Sequence, residues 1–261
     1  MTAFLVKKAF YDGWDSLVQI LLCNVVVTAV ALGGLYLSAS LLPAFLPALA
    51  VFFASSALTG FLLGGISARM ARVADNEHFG FKELPAALRR HGPTGALFGL
   101  AVAASGILFV VAFRFYTAAD SGISFIAVVP LFWMGIAAVL SLQWFFPLRS
   151  QLEGGFLKTL RKCFVIFLDN PGFSIFMVFY GLVLAALSLV LVFLLPGISG
   201  MLLAWNEALR LRLYKYDWMD AHPELPAATA RKQIPWDELL EDDREITGNR
   251  SIKSFVFPWK D

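Results

Sequence analysis

Within two turns of helix the chain sets an amide, a carboxylate and a guanidinium: Asn206, Glu207 and Arg210. They stand where a tract free of Asp, Glu, Lys, Arg and His, residues 170–206, comes to its end. A carboxylate held among apolar helices is the group that binds a coupling proton or cation, and keeping one at mid-membrane costs about 3 kcal/mol on insertion scales. Glu207 is therefore the residue best suited to do chemistry, with Arg210 one turn on as its natural partner. Asn24, inside an apolar tract near the N-terminus, completes a candidate intramembrane polar site of Asn24, Asn206, Glu207 and Arg210. Amides such as Asn24 and Gln143 serve equally well as hydrogen-bonding joints between helices, and Arg114 is placed to snorkel to an interface.

No other reaction chemistry is written in the chain. It has no phosphate-cradling glycine loop, no nucleophile with a paired His and no carboxylates clustered within a span. His78, His91 and His222 are scattered among loops without metal-ligand spacing, so no metal and no cofactor are expected. Cys23 and Cys163 fall in different elements and read as free thiols packed like small apolar side chains. The chain reads as non-enzymatic, and nothing suggests nucleic acid as a partner.

A second group of residues points to docking. The segment Trp236–Glu245 concentrates six acids, and beyond Gly248 the chain ends in Phe255, Val256, Phe257, Pro258, Trp259, Lys260 and Asp261. Tails that merely solubilise are poor in aromatics. Trp236, Phe255, Phe257, Pro258 and Trp259 are thus candidate partner-binding residues, whether the partner is the protein's own surface, another protein or the lipid interface.

These side chains must be positioned by elements that the composition makes plain. Of 261 residues, 59% are hydrophobic and 15% charged, and mean hydropathy is +0.72, which excludes an ordinary soluble domain. Four tracts lack any ionisable residue: 16–68, 92–113, 121–148 and 170–206. A bilayer core needs about 20 residues of helix. The tracts therefore predict crossings over Leu17–Leu41 and Ala48–Met70, split at Pro43 and Pro47, then one within 92–113 and one within 121–148. Phe173–Leu195 is a fifth, and after Pro196 and Gly197 a short sixth spans Ile198–Tyr214. The apolar runs are continuous rather than alternating, which favours helices over a barrel. The expectation is an all-α integral membrane protein, a six-span bundle over residues 1–214, followed by a cytoplasmic tail over 215–261. Gly33-Gly34 and Gly64-Gly65 suit close helix packing better than ligand binding.

Lys and Arg divide twenty to one between alternate loops, Arg114 being the exception. By the positive-inside rule both termini are cytoplasmic, and the family resemblance described below implies the inner membrane of a bacterium. Two inner loops carry apolar residues at helical spacing among bases: Phe79, Phe81, Leu84 and Leu88 around Lys82, Arg89 and Arg90, and Phe156, Leu157, Leu160, Phe164 and Phe167 around Lys158, Arg161 and Lys162. Each reads as an amphipathic helix on the cytoplasmic interface, ending at a breaker, Gly92-Pro93 or Asn170-Pro171. Span, basic helix, breaker and span thus occur twice, in the manner of a direct repeat.

Phe145-Phe146-Pro147-Leu148-Arg149, then Phe156 to Lys162 and Asn170-Pro171, resembles the later half of the YesL-like bacterial membrane proteins, whose function is undetermined. Ser55-Ser56-Ala57 leading to Arg69 and Arg72 is similar to that family's first half, and Leu195-Pro196-Gly197 with Asn206 and Arg210 resembles its closing element. The tail beyond Tyr214 has no counterpart there. The resemblance implies an accessory role beside carbohydrate ABC transporters and transfers no catalytic residue. Together these features predict an accessory or scaffold component of a transport system, with the bilayer and transporter subunits as partners. The alternative is a transporter or permease subunit with its polar site near Glu207.

Overall fold

The computed structural model describes residues 1–78, 80–118, 122–152, 154–224, 226, 231 and 233–247. Among them the chain is helical throughout, without a strand. The principal helices are α1 (Thr2–Asp15), α2 (Leu17–Ser40), α3 (Phe45–Ala74), α4 (Leu84–Ala118), α5 (Gly122–Leu142), α6 (Phe145–Gln151), α7 (Phe156–Asp169), α8 (Pro171–Val190) and α9 (Gly197–Ala221). Two short helices, Trp236–Leu239 and Glu241–Thr247, follow.

Five stretches are long and apolar enough to cross a membrane: Leu17–Ser40, Phe45–Ala74, Phe81–Ala118, Ile126–Gln151 and Pro171–Val190. They correspond to the first five expected crossings. The expected sixth, Ile198–Tyr214, lies inside α9, which is not among them because Glu207, Arg210, Arg212, Lys215 and Asp217 make its second half polar. α9 also continues past Tyr214 to Ala221, so no helix boundary falls at residue 215.

Gly92-Pro93 does not break the chain as expected: α4 runs unbroken from Leu84 through both residues. Gly92 is there for proximity, since a Cβ on it would stand 2.4 Å from the Phe61 ring. Pro93 costs one backbone hydrogen bond, and one turn before it Arg149 donates to the Arg90 carbonyl at 3.4 Å. The second breaker behaves as read: Asn170 separates α7 from α8, and Pro171 sits at the first turn of α8, where its missing N–H is no loss. α8 stops at Val190, short of the expected Leu195, and Val192 and Phe193 turn the chain with positive φ.

α3 and α4 form the tightest pairing. A Cβ on Gly60 would lie 2.3 Å from the Gly95 carbonyl oxygen, and one on Gly95 would lie 2.2 Å from that of Gly60. Gly64 and Gly99 repeat the pattern against His91 and Ser56, and Gly65 faces Leu88, so Gly64-Gly65 does serve packing. Gly34 meets Ser55 in the same way, whereas Gly33 meets nothing. In lipid the hydrophobic effect does not hold helices together, so such backbone contact supplies the van der Waals attraction.

The fully buried side chains gather at one end of the bundle, the end that bears α1, α6, α7, the second half of α9 and the charges. Leu5, Trp144, Phe145, Cys163, Leu209 and Leu240 form one cluster there; Ile20, Met70, Val73 and Leu203 form another. The opposite ends of α4, α5 and α8 instead display Leu108, Ile126 and Val190 outward, as a hydrocarbon solvent permits. Both cysteines are free and buried. Burial pushes the Cys163 thiol up to about 12, so neither is expected to react with maleimide in mildly alkaline solution until the protein is unfolded, as intact-mass measurement would read directly.

Candidate functional site

The four residues singled out within the bundle separate into joints and one cluster. Asn24 is a joint. Its amide donates to the carbonyls of Leu194 and Pro196, both at 2.9 Å, and its oxygen accepts from the Ser199 backbone N–H at 2.8 Å. It therefore caps α9 from another helix, supplying an acceptor to a first-turn N–H that has no partner within α9. Asn206 is a second joint. It donates to the Leu202 carbonyl (2.7 Å) and to Ser67 Oγ (3.1 Å), and accepts from Gln151 (3.0 Å), tying α9 to α3 and α6. Gln143 behaves likewise: it donates to the Ser174 carbonyl at 3.0 Å and accepts from the Trp205 indole at 3.0 Å.

Glu207 is different. It is 1% exposed, and neither carboxyl oxygen receives a hydrogen bond from a donor among the described residues. Its partner is not Arg210 but another acid, Asp12 of α1, within hydrogen-bonding reach. Two ionised carboxylates have no hydrogen between them, so a hydrogen bond between these two acids requires that one of them hold a proton. Burial, then the charge of Asp12, raise the Glu207 pKa well above its ordinary value against the opposing pull of Lys8. With 1% of its surface exposed, this residue is enclosed by the protein itself.

Around it lies a buried ionic cluster drawn from four segments. Lys8, 3% exposed, pairs with Asp12 at 2.5 Å and donates to Asn76 Oδ1 at 2.8 Å. Asn76 occupies the left-handed position just past α3 (φ +62°), a place Asn tolerates, and donates in turn to Asp243 at 3.2 Å. Arg210 reaches Asp75 at 3.5 Å and Asp243 at 3.4 Å, donates to Tyr214 Oη at 2.7 Å and donates also to the Ala74 carbonyl at the end of α3. A cavity of about 10 Å³, at the lower limit for one water, is enclosed by Lys8, Glu207, Arg210 and Asp243 with Phe4, Leu5 and Leu211. Asp12 also lines a larger, open pocket with Asp15, Glu77 and His78.

A second cluster fixes α7 to α9. Lys215 and Tyr216 donate to Asp169 at 2.8 and 2.7 Å. Burial alone would raise Asp169, but these two hydrogen bonds and the charges of Lys215 and Arg231 hold it below the usual carboxylate range. Arg212 lies 3.7 Å over the Phe173 ring and 5.9 Å from that of Trp236, and burial brings its guanidinium down to about 10.

Of the tail candidates, Trp236 packs against the main core beside Leu240. Phe255, Phe257, Pro258 and Trp259 lie outside the described residues. The sequence reading missed Lys8, Asp12, Asn76 and Asp243 as members of this cluster. Lys8 and Asp12 at i, i+4 were the available signal. The three His remain apart, and no group of metal-ligating side chains occurs among the described residues. No family model matches the chain, and no curated protein or solved structure matches it.

Proposed function

We propose that this multi-pass membrane protein is a non-enzymatic accessory or scaffold component of a membrane transport system, with its charged end in the bacterial cytoplasm and α9 entering the bilayer only part-way as a short sixth element. The observation that carries this reading is the fate of the intramembrane amides: Asn24, Gln143 and Asn206 spend their hydrogen bonds on the protein's own helices, which favours a frame over a carrier. The cytoplasmic face would present α7, whose Lys158, Arg161 and Lys162 stand beside outward-facing Leu157, Phe164, Val165 and Leu168. That combination suits an anionic lipid surface or a membrane partner. The resemblance to YesL-like proteins supports a carbohydrate ABC transporter as the system served. A specific observation keeps the alternative: the buried acid pair Glu207–Asp12 is what a proton-coupled permease subunit would need.

The test compares the full chain with chains ending at Thr247 and at Ile234, each purified from native membranes and followed by mass spectrometry. Transporter subunits are expected with the full chain and at least tenfold fewer with either truncation, because Phe255, Phe257, Pro258 and Trp259 are absent from both. Recovery of the protein alone in all three preparations overturns the accessory reading. Sugar binding or uptake by the purified chain without other subunits establishes the alternative.

A further inference from the structure

We propose that Glu207 and Asp12 share a single proton beneath a latch formed by tail residues 236–247, so that the tail docks with uptake of that proton and lifts as the pH rises. The inference stands apart from the accessory reading, since it concerns only how this chain closes on itself.

Three observations carry it. The latch is well seated: Leu240, Asp243 and Thr247 are buried, and Asp243 meets Asn76, Arg210 and Tyr214. The latch also borders the acid's surroundings, because Asp243 lines the same small cavity as Glu207, Lys8 and Arg210. Finally, the charges do not balance. Three acids (Asp12 of α1, Glu207 of α9 and Asp243 of the tail) share two bases, Lys8 of α1 and Arg210 of α9, and Arg210 also reaches the exposed Asp75, which Arg72 and Glu77 flank. Lys8 is taken by Asp12 and Arg210 by Asp75 and Asp243, which leaves Glu207 without a cation. The remaining group facing it is the neutral phenol of Tyr180 on α8.

Docking brings a third carboxylate, Asp243, to a site that already holds Asp12 and Glu207, and it removes their water. Both effects favour the neutral form of Glu207. The proton comes from solvent, bonds to a Glu207 oxygen and is donated in a hydrogen bond to the Asp12 carboxylate. Lifting the latch removes one like charge and admits water, so the proton is released. A group whose pKa is raised in the docked state adds stability below its undocked value and loses it as pH climbs through the docked value. The latch is therefore held at low pH and weakens by up to about tenfold per pH unit above the ordinary Glu range.

Spin labels at Lys82→Cys and Glu245→Cys, both exposed positions outside the cluster, report the docking distance in the full chain reconstituted in lipid nanodiscs. The native chain is expected to show one short distance at about pH 5 and a growing long-distance population towards about pH 9. Glu207→Gln, permanently neutral, should stay docked throughout. Asp12→Asn leaves Lys8 to stabilise an ionised Glu207 in the docked state, so the docked and undocked pKa values draw together and the rise of the long-distance population with pH should shrink at least severalfold. An unchanged distance in the native chain across this range overturns the proposal. So does a Glu207→Gln chain that releases with the native pH profile, or, should that variant not fold, an Asp12→Asn chain that releases to the native extent.

Discussion

Gly95→Leu is expected to destabilise the folded protein strongly. A side chain at this position would start 2.2 Å from the carbonyl oxygen of Gly60 and 3.2 Å from the Cα of Gly64, and these are backbone atoms that no rotamer change can move. Helices α3 and α4 would have to part along a contact that also includes Gly64, Gly92 and Gly99. Overpacking a core commonly costs about 1–3 kcal/mol, and the rigidity of this contact puts the loss at the upper end, about 3 kcal/mol or more. Denaturant titration of the purified protein in detergent checks it, with Gly33→Leu and Gly106→Leu as controls. A Cβ at either control position meets nothing within 4 Å, so both should unfold like the native chain. Native-like stability of Gly95→Leu would mean that the two backbones do not touch.

The second large effect is expected at Asn24. Asn24→Leu keeps the branched shape but strips the Ser199 N–H and the Leu194 carbonyl of their partner and leaves the Pro196 carbonyl with the Gly200 N–H alone. A buried polar group left unpaired costs about 1–3 kcal/mol in a soluble core, whereas a single interhelical hydrogen bond in a membrane protein averages about 0.6 kcal/mol. Three hydrogen bonds lost together at a backbone turn, two of them leaving a group unpaired, place the expected destabilisation at about 2–4 kcal/mol. The turn has little room to adapt: Gly197 has φ +59°, and a Cβ there would lie 2.2 Å from the Asn24 amide nitrogen. Asn24→Asp should not rescue stability, because it keeps the acceptor for Ser199 but loses both donations and adds a charge. The same unfolding titration reads both variants. If Asn24→Leu keeps its stability yet loses association with other subunits, Asn24 is a recognition residue and not a joint.

The crossings were legible because lipid imposes a length and a polarity that a linear count detects: tract 16–68, with Pro43 and Pro47, became α2 and α3 almost as read. Boundaries failed where a local signal had a tertiary cause. Gly92-Pro93 looked like a break, but the glycine makes room for Phe61 and the helix continues through the proline. The expected Glu207–Arg210 pairing failed for a related reason. Helical spacing brings two residues together on one element, but Arg210 found Asp75 and Asp243, which approach from elsewhere in the chain.

By itself, then, the sequence determined a helical membrane protein with at least five apolar helices of spanning length, because hydrophobicity and run length act locally and additively. It also singled out Glu207 as the ionisable residue at the edge of the longest C-terminal apolar tract. Only the tertiary structure decided what surrounds that carboxyl. Lys8, Asp12, Asn76 and Asp243 are separated by up to 235 positions in the chain and meet only once α1, the end of α3, α9 and the tail have packed together. The charge state of a buried acid depends on that enclosure, on the water it removes and on the distances to charges brought by other elements.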